Sequence, residues 1–249
     1  MKIKESIPNS ITLLNLLSGS IATLLIFEGL KLAAVAFIIL GALFDFLDGF
    51  SARLLNVKST IGKELDSLAD LITFGMAPTL LLLFDYRALL DSNYQLYFST
   101  TATLLLGYFP LIVVAASALR LAIFNVDERQ HTSFLGLPTP ANAIMICATV
   151  LTLSSTPSLY PLYSKWWFYP LLSIVLSSLL LSQIPMFSLK IERGGGSAKR
   201  VLILFAALLI LVIAISLIFS RNLPLAIMNG MILYILFNVV LYLLKWFIK

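Results

Sequence analysis

Four aspartates stand at fixed intervals in the run Asp45-x2-Asp48-Gly49-x2-Ala52-Arg53-x8-Gly62-x3-Asp66-x3-Asp70. Asp45 and Asp48 are spaced i, i+3, and Asp66 and Asp70 are spaced i, i+4, so on helices each pair shares one face. Two such faces turned together make a cluster of four carboxylates, and that much negative charge is stable only around cations. Hard oxygen donors in this number suit Mg²⁺, Mn²⁺ or Ca²⁺, and suit two ions better than one. Gly49 and Ala52 leave a shallow notch on the same helical face, where a planar group can approach the backbone. Gly62 permits close approach or a tight turn at the start of the next helix, and Arg53 offers a planar fork for phosphate oxygens. Carboxylates, paired metals, an arginine and small residues together describe a diphosphate site. The chemistry that fits is phosphoryl transfer, with metals clamping the attacking and leaving oxygens.

The elements that must position these groups are hydrophobic. The chain is 249 residues long, 60% hydrophobic and only 12% charged, with a mean hydropathy of +1.00. This composition predicts an all-α, polytopic membrane helical bundle and excludes a soluble domain. Carboxylates inside such spans cost roughly 2.5–3.5 kcal/mol each on insertion scales, which marks them as functional. Eight apolar runs are long enough to cross ~30 Å of hydrocarbon: 10–29, 32–54, 63–84, 96–121, 139–157, 166–186, 200–220 and 223–244. No internal repeat is visible, and residues 1–249 read as one membrane domain. Asn15 interrupts the first apolar run and no small-residue cleavage site follows, so that run is expected to stay as a span.

Lys and Arg set the expected orientation. With the N-terminus inside, Lys2, Lys4, Arg53, Lys58, Lys63, Arg129, Lys190, Arg193, Lys199, Arg200, Lys245 and Lys249 fall on the inner side, against Lys31, Arg87, Lys165 and Arg221 outside. The bias of 12 to 4, with Arg120 left within a span, puts both termini in the cytoplasm. Asp45 follows Lys31 by 14 residues, or ~21 Å of helix, so the acidic cluster is expected to open to the cytoplasm at the depth of lipid phosphates. The net charge of +5 fits lipid headgroups and cytoplasmic loops and gives no sign of nucleic acid. The single cysteine, Cys147, excludes an intramolecular disulfide, and the single histidine, His131, reads as a solvated loop residue.

The run DxxDGxxARx8GxxxDxxxD is matched at all eight fixed positions, and it resembles the signature of the CDP-alcohol phosphatidyltransferases. Further stretches resemble the phosphatidylserine synthase branch of that family: Pro8 to Leu16, Phe74-Gly75-Met76-Ala77-Pro78, Ala118-Leu119-Arg120-Leu121-Ala122, Phe124-Asn125 and Gly136-Leu137-Pro138-Thr139-Pro140. The resemblance covers about the first 145 residues, and it departs at Ile123, where the branch often carries a second arginine. It implies that Asp45, Asp48, Asp66 and Asp70 hold two divalent cations, Mg²⁺ or Mn²⁺ with Ca²⁺ as an alternative, and that Asp70 is the base for the acceptor hydroxyl. Gly49, Ala52 and Gly62 would line a cytidine pocket, and Arg53 would touch the donor's phosphates. The implied substrates are CDP-diacylglycerol and L-serine, the products phosphatidylserine and CMP, and the implied assembly a homodimer in the cytoplasmic membrane. Glycerol 3-phosphate or an inositol as acceptor, and a diether CDP-lipid as donor, stay open. The inner loops carry no tight basic cluster beside the motif, which favours an acceptor without a second phosphate.

Outside the motif, single residues carry two readings each. Arg120 either anchors the acceptor's carboxylate or a substrate phosphate, or snorkels to the interface. Asn125 either shares that site or caps a helix end. Thr12 and Asn15 share a face of the first span and either touch substrate or bond between helices. Gly75 and Pro78 are expected to bend the third span, Pro138 and Pro140 to start the fifth, and Trp166-Trp167-Phe168-Tyr169 to form an outer interfacial belt. A transporter is the competing class, but transport sites lie near the midplane between repeated halves, and here the acids are off-centre in one hairpin.

Overall fold

In a computed structural model the described residues are 3–57, 59–94, 100–127, 134–186 and 196–247. Lys58, Arg129, His131, Lys190 and Arg193 lie outside them. Helix α1 (Ile3–Phe27) turns at Gly29 into α2 (Lys31–Leu54), and α3 (Thr60–Asp70) follows after a short link. A π-helical stretch, Leu71–Met76, joins α3 to α4 (Ala77–Asn93) without a break in the rod. Next come α5 (Thr100–Gly107), a 3-10 turn at Phe109–Leu111 and α6 (Ile112–Val126). Helices α7 (Thr139–Ser155), α8 (Tyr160–Tyr163), α9 (Phe168–Leu181), α10 (Gly196–Ser220) and α11 (Leu223–Phe247) complete the bundle. Strands β1 (Phe134–Leu135) and β2 (Pro185–Met186) pair antiparallel, Phe134 opposite Met186.

Five of the described helices are long and apolar enough to cross a membrane: Ser6–Phe27, Lys31–Leu54, Thr60–Asn93, Thr101–Val126 and Leu223–Leu244. The pair Thr139–Ser155 and Pro157–Tyr163, bent by 99°, makes a sixth if taken as one span, and Phe168–Leu181 and Phe205–Ser220 are shorter apolar helices. The chain is therefore a helical multi-pass membrane protein. The sixth apolar run ends earlier than its sequence suggests, because Ser182 turns to extended backbone and Pro185 enters the strand pair. Side chains such as Leu24, Leu32, Leu105 and Phe219 point out of the bundle, 64–85% exposed, as lipid-facing residues do.

Two glycines decide how closely the first elements pack. A Cβ on Gly19 of α1 would sit 2.3 Å from Thr73 Oγ1, and one on Gly41 of α2 would sit 2.5 Å from Thr73 Cγ2. Helices α1 and α2 thus meet the π stretch at Thr73, whose hydroxyl donates to the Asn15 carbonyl at 3.0 Å. Pro78 explains the wide turn. It brings no N–H, and its ring crowds the carbonyl four residues back, so the ladder shifts to an i→i−5 bond from Ala77 N to Ile72 O. The expected bend at Gly75 and Pro78 is therefore a π stretch in a continuous rod.

Pro138 and Thr139 open α7 as the sequence suggests, with Pro138 at the cap in extended backbone and Pro140 in the first turn. The aromatic cluster divides. Trp166 and Trp167 are about two-fifths exposed, whereas Tyr169 is buried and stacks on Tyr86 with ring centroids 5.2 Å apart. Tyr86 in turn donates to the Trp166 carbonyl at 2.9 Å, so Tyr169 belongs to the core and not to a belt. Near these rings Lys31 pairs with Asp85, at the opposite end of α2 from the motif aspartates.

Candidate active site

Helices α2 and α3 bring one carboxylate oxygen each of Asp45, Asp48 and Asp66 within 4.8 Å of one another. Carboxylates this close together repel one another when ionised, and a cation between them offsets that repulsion. Asp66 Oδ1 is buried and has no partner among the described residues. Three converging hard oxygens and one unspent buried lone pair fit a divalent cation. Asp70 lies one turn deeper. It is buried and stands outside the group of three, its Oδ1 accepting from Asn15 Nδ2 at 3.2 Å.

Helix α1 supplies the struts. Asn9, Thr12, Asn15 and Ser18 recur every third residue and all are buried, a polar stripe on an otherwise apolar span. Thr12 Oγ1 donates to Asp48 Oδ2 at 2.6 Å. Both Thr12 and Asn15 therefore bond between helices, directly onto motif carboxylates. The second-neighbour contacts fix the orientation of the groups that would hold an ion.

Beside the carboxylates a cleft of about 340 Å³ opens between α1, α2 and α3, lined by residues that include Asn9, Thr12, Gly49, Ala52, Gly62 and Lys63. A Cβ on Gly49 would meet nothing within 4 Å, so this glycine leaves empty space in the cleft. Gly62 does something different: a Cβ there would lie 2.8 Å from Asn9 Oδ1, so it lets α1 approach α3. Ser59 caps α3 by accepting from Gly62 N at 3.2 Å. Arg53 is exposed and does not line the cleft, while Lys63 does, and its ammonium reaches the Asn125 carbonyl at 2.5 Å. Lys63 and Asn9 escaped the sequence reading. Asn9 could have been found as the residue that starts the three-residue stripe of α1, but a lysine beside a polar loop carries no such signal.

Arg120 is buried at 8% exposure, so its guanidinium does not snorkel to the surface. Its Nη1 lies 3.5 Å from Thr139 Oγ1 on α7. Asn125 is elsewhere: its Nδ2 donates to Ser67 Oγ at 2.8 Å, which ties the end of α6 to α3. The structure thus joins Asp48, Asp66, Gly49, Ala52 and Gly62 around one cleft, with Asp45 in the carboxylate group beside it. Asp70 and Arg120 lie deeper, and Arg53 and Asn125 lie at the rim.

Residues 5–177 match the family model described as CDP-alcohol phosphatidyltransferase. The chain is similar to the archaetidylserine synthase of Methanothermobacter thermautotrophicus, 37% identical over 59% of this chain and 58% of that protein. It is also similar to the CDP-diacylglycerol–serine O-phosphatidyltransferase of Bacillus subtilis, 36% identical over 61% of this chain and 78% of that one. The enzyme of the same name from Mycobacterium leprae is 32% identical over 73% of this chain and 58% of its own length. The chain therefore spans a little over half the length of two of these relatives.

Proposed function

The chain belongs to the CDP-alcohol phosphatidyltransferase family, and on that premise we propose that it transfers a phosphatidyl group from CDP-diacylglycerol to L-serine, giving phosphatidylserine and CMP. The observation that carries this reading is the convergence of Asp45, Asp48 and Asp66 beside a cleft kept open at Gly49. Asp45, Asp48, Asp66 and Asp70 would hold two divalent cations, Mg²⁺ or Mn²⁺. When bound, such ions neutralise the diphosphate and the charge that builds on the leaving oxygen. Gly49, Ala52 and Gly62 frame the place for the cytidine, and Arg53, at the rim, can swing onto the donor phosphates. Asp70 accepts the proton of the serine hydroxyl, with Asn15 holding its carboxylate in place. The serine oxygen forms a bond to the phosphorus that carries diacylglycerol, the diphosphate P–O bond breaks, and its electron pair leaves with CMP. Arg120 is the anchor for the acceptor's carboxylate; Asn125 acts by holding α6 against α3.

The names of these relatives agree on serine and differ in the lipid, since one is an archaetidylserine synthase and the others are CDP-diacylglycerol–serine O-phosphatidyltransferases. A diether CDP-lipid is therefore the second reading for the donor. The chain works as one domain of eight spans in the cytoplasmic membrane, as a homodimer, with both termini and the cleft facing the cytoplasm. The 12-to-4 bias of Lys and Arg supports that orientation. Product analysis tests the reaction: purified protein receives CDP-diacylglycerol or its diether counterpart with serine, glycerol 3-phosphate or inositol in turn. Phosphatidylserine and stoichiometric CMP are expected with serine alone. Turnover with a phosphorylated alcohol and none with serine would overturn the assignment.

A further inference from the structure

Asn142 on α7 is fully buried, and neither its amide nitrogen nor its amide oxygen has a hydrogen-bond partner among the described residues. Leaving such groups unpaired in the interior is costly, so a doubly unpaired amide marks a place where something else binds. Its surroundings say what. Thr139 stands three residues earlier on the same face of α7 and lies 3.5 Å from Arg120 Nη1. Arg120 Nε is itself buried and without a partner among the described residues. Helix α7 packs against the π stretch that follows Asp70. An unspent donor on Arg120 and an unspent amide on Asn142 are thus both buried, on helices that meet at Thr139.

We infer that Asn142 is a second anchor for the acceptor, its amide oxygen taking the ammonium group of an α-amino acid while Arg120 takes the carboxylate. This rests on the proposed transfer to serine and extends it to the selection of the acceptor. The complementarity is specific to a zwitterion. A carboxylate accepts from the Arg120 Nε–H and the Asn142 amide N–H, and an ammonium donates to the Asn142 carbonyl. A phosphorylated alcohol would satisfy the donors and leave the amide oxygen facing phosphate oxygens, acceptor against acceptor, which disfavours it.

The test uses the full-length protein in detergent with CDP-diacylglycerol and Mn²⁺. Asn142→Leu keeps the branched shape and removes both polar atoms; Asn142→Asp keeps an acceptor and loses the donor. The Leu variant is expected to raise KM for L-serine about tenfold or more, with KM for CDP-diacylglycerol within twofold. The Asp variant should recover part of the loss. The advantage of L-serine over 3-hydroxypropionate, which lacks the amine, should shrink in the Leu variant and persist in the Asp variant. An unchanged KM for serine, or a parallel loss of CDP-lipid binding in both variants, would make Asn142 a structural amide and end the inference. Wild-type protein that uses serine while Asn142→Leu behaves identically overturns this inference alone. Wild-type protein that uses only a phosphorylated alcohol overturns the serine assignment and this inference with it.

Discussion

The hydroxyl of Thr12 on the first helix donates to the carboxylate of Asp48 on the second across 2.6 Å. One apolar span thereby holds a motif carboxylate of another, with the two side chains 36 residues apart in sequence. Thr12→Val keeps the shape of the side chain and removes only the donor. Metal affinity is expected to fall about 10–100-fold, the usual cost of losing a second-neighbour contact. Titrating CMP release with Mn²⁺ measures this; an unshifted half-saturating concentration would show that Asp48 orients without Thr12.

Chelation is expected to abolish CMP release, and Mg²⁺ or Mn²⁺ to restore it. Asp66→Asn should need far more metal than wild type, since it removes a charged oxygen donor from the group of three. Full turnover by thoroughly chelated protein would remove the ions from the reaction.

Gly49 and Gly62 line the same cleft, yet the space around them differs. Gly49→Leu puts a side chain where nothing stands within 4 Å of the Cβ, so the thermal midpoint should stay near wild type while KM for the CDP-lipid rises by about an order of magnitude or more. Gly62→Ala drives a methyl group to 2.8 Å from Asn9 Oδ1 and should destabilise by about 1–3 kcal/mol, as overpacking does. Parallel melting curves and donor saturation curves separate the two effects. A Gly49→Leu variant that binds donor normally would place the nucleotide elsewhere.

Sidedness is read with single cysteines, using Cys147 as the internal blank because it is buried. A cysteine at Asn56, in the link between α2 and α3, should resist a membrane-impermeant maleimide applied to intact cells. One at Asp91, near the end of α4, should react. The reverse pattern would invert the topology.

The chemistry of the site was legible in the sequence because it depends on residue type and helical period. Spacings of three and four put each aspartate pair on one face, and an apolar context made every carboxylate conspicuous. Positions that act through empty space or through a single neighbour were less readable. Gly49 and Gly62 look alike as letters, and only the approach of Asn9 to one of them separates a cleft-opener from a packing contact. Arg53, a natural phosphate fork by its type, stands at the rim, while Lys63 lines the cleft.

By itself the sequence determined a helical membrane protein with a cluster of carboxylates in its second and third spans that could hold a cation, since hydrophobicity and local period are properties of short segments. Only the tertiary structure decided that Asp45, Asp48 and Asp66 converge while Asp70 is held apart by Asn15, and that Tyr169 is core. It likewise decided that Arg120 and Asn142 are each buried, on helices joined through Thr139. Which buried polar atom meets which partner depends on how helices far apart in sequence cross, and in this bundle that crossing is set by contacts as small as Gly19 and Gly41 against Thr73.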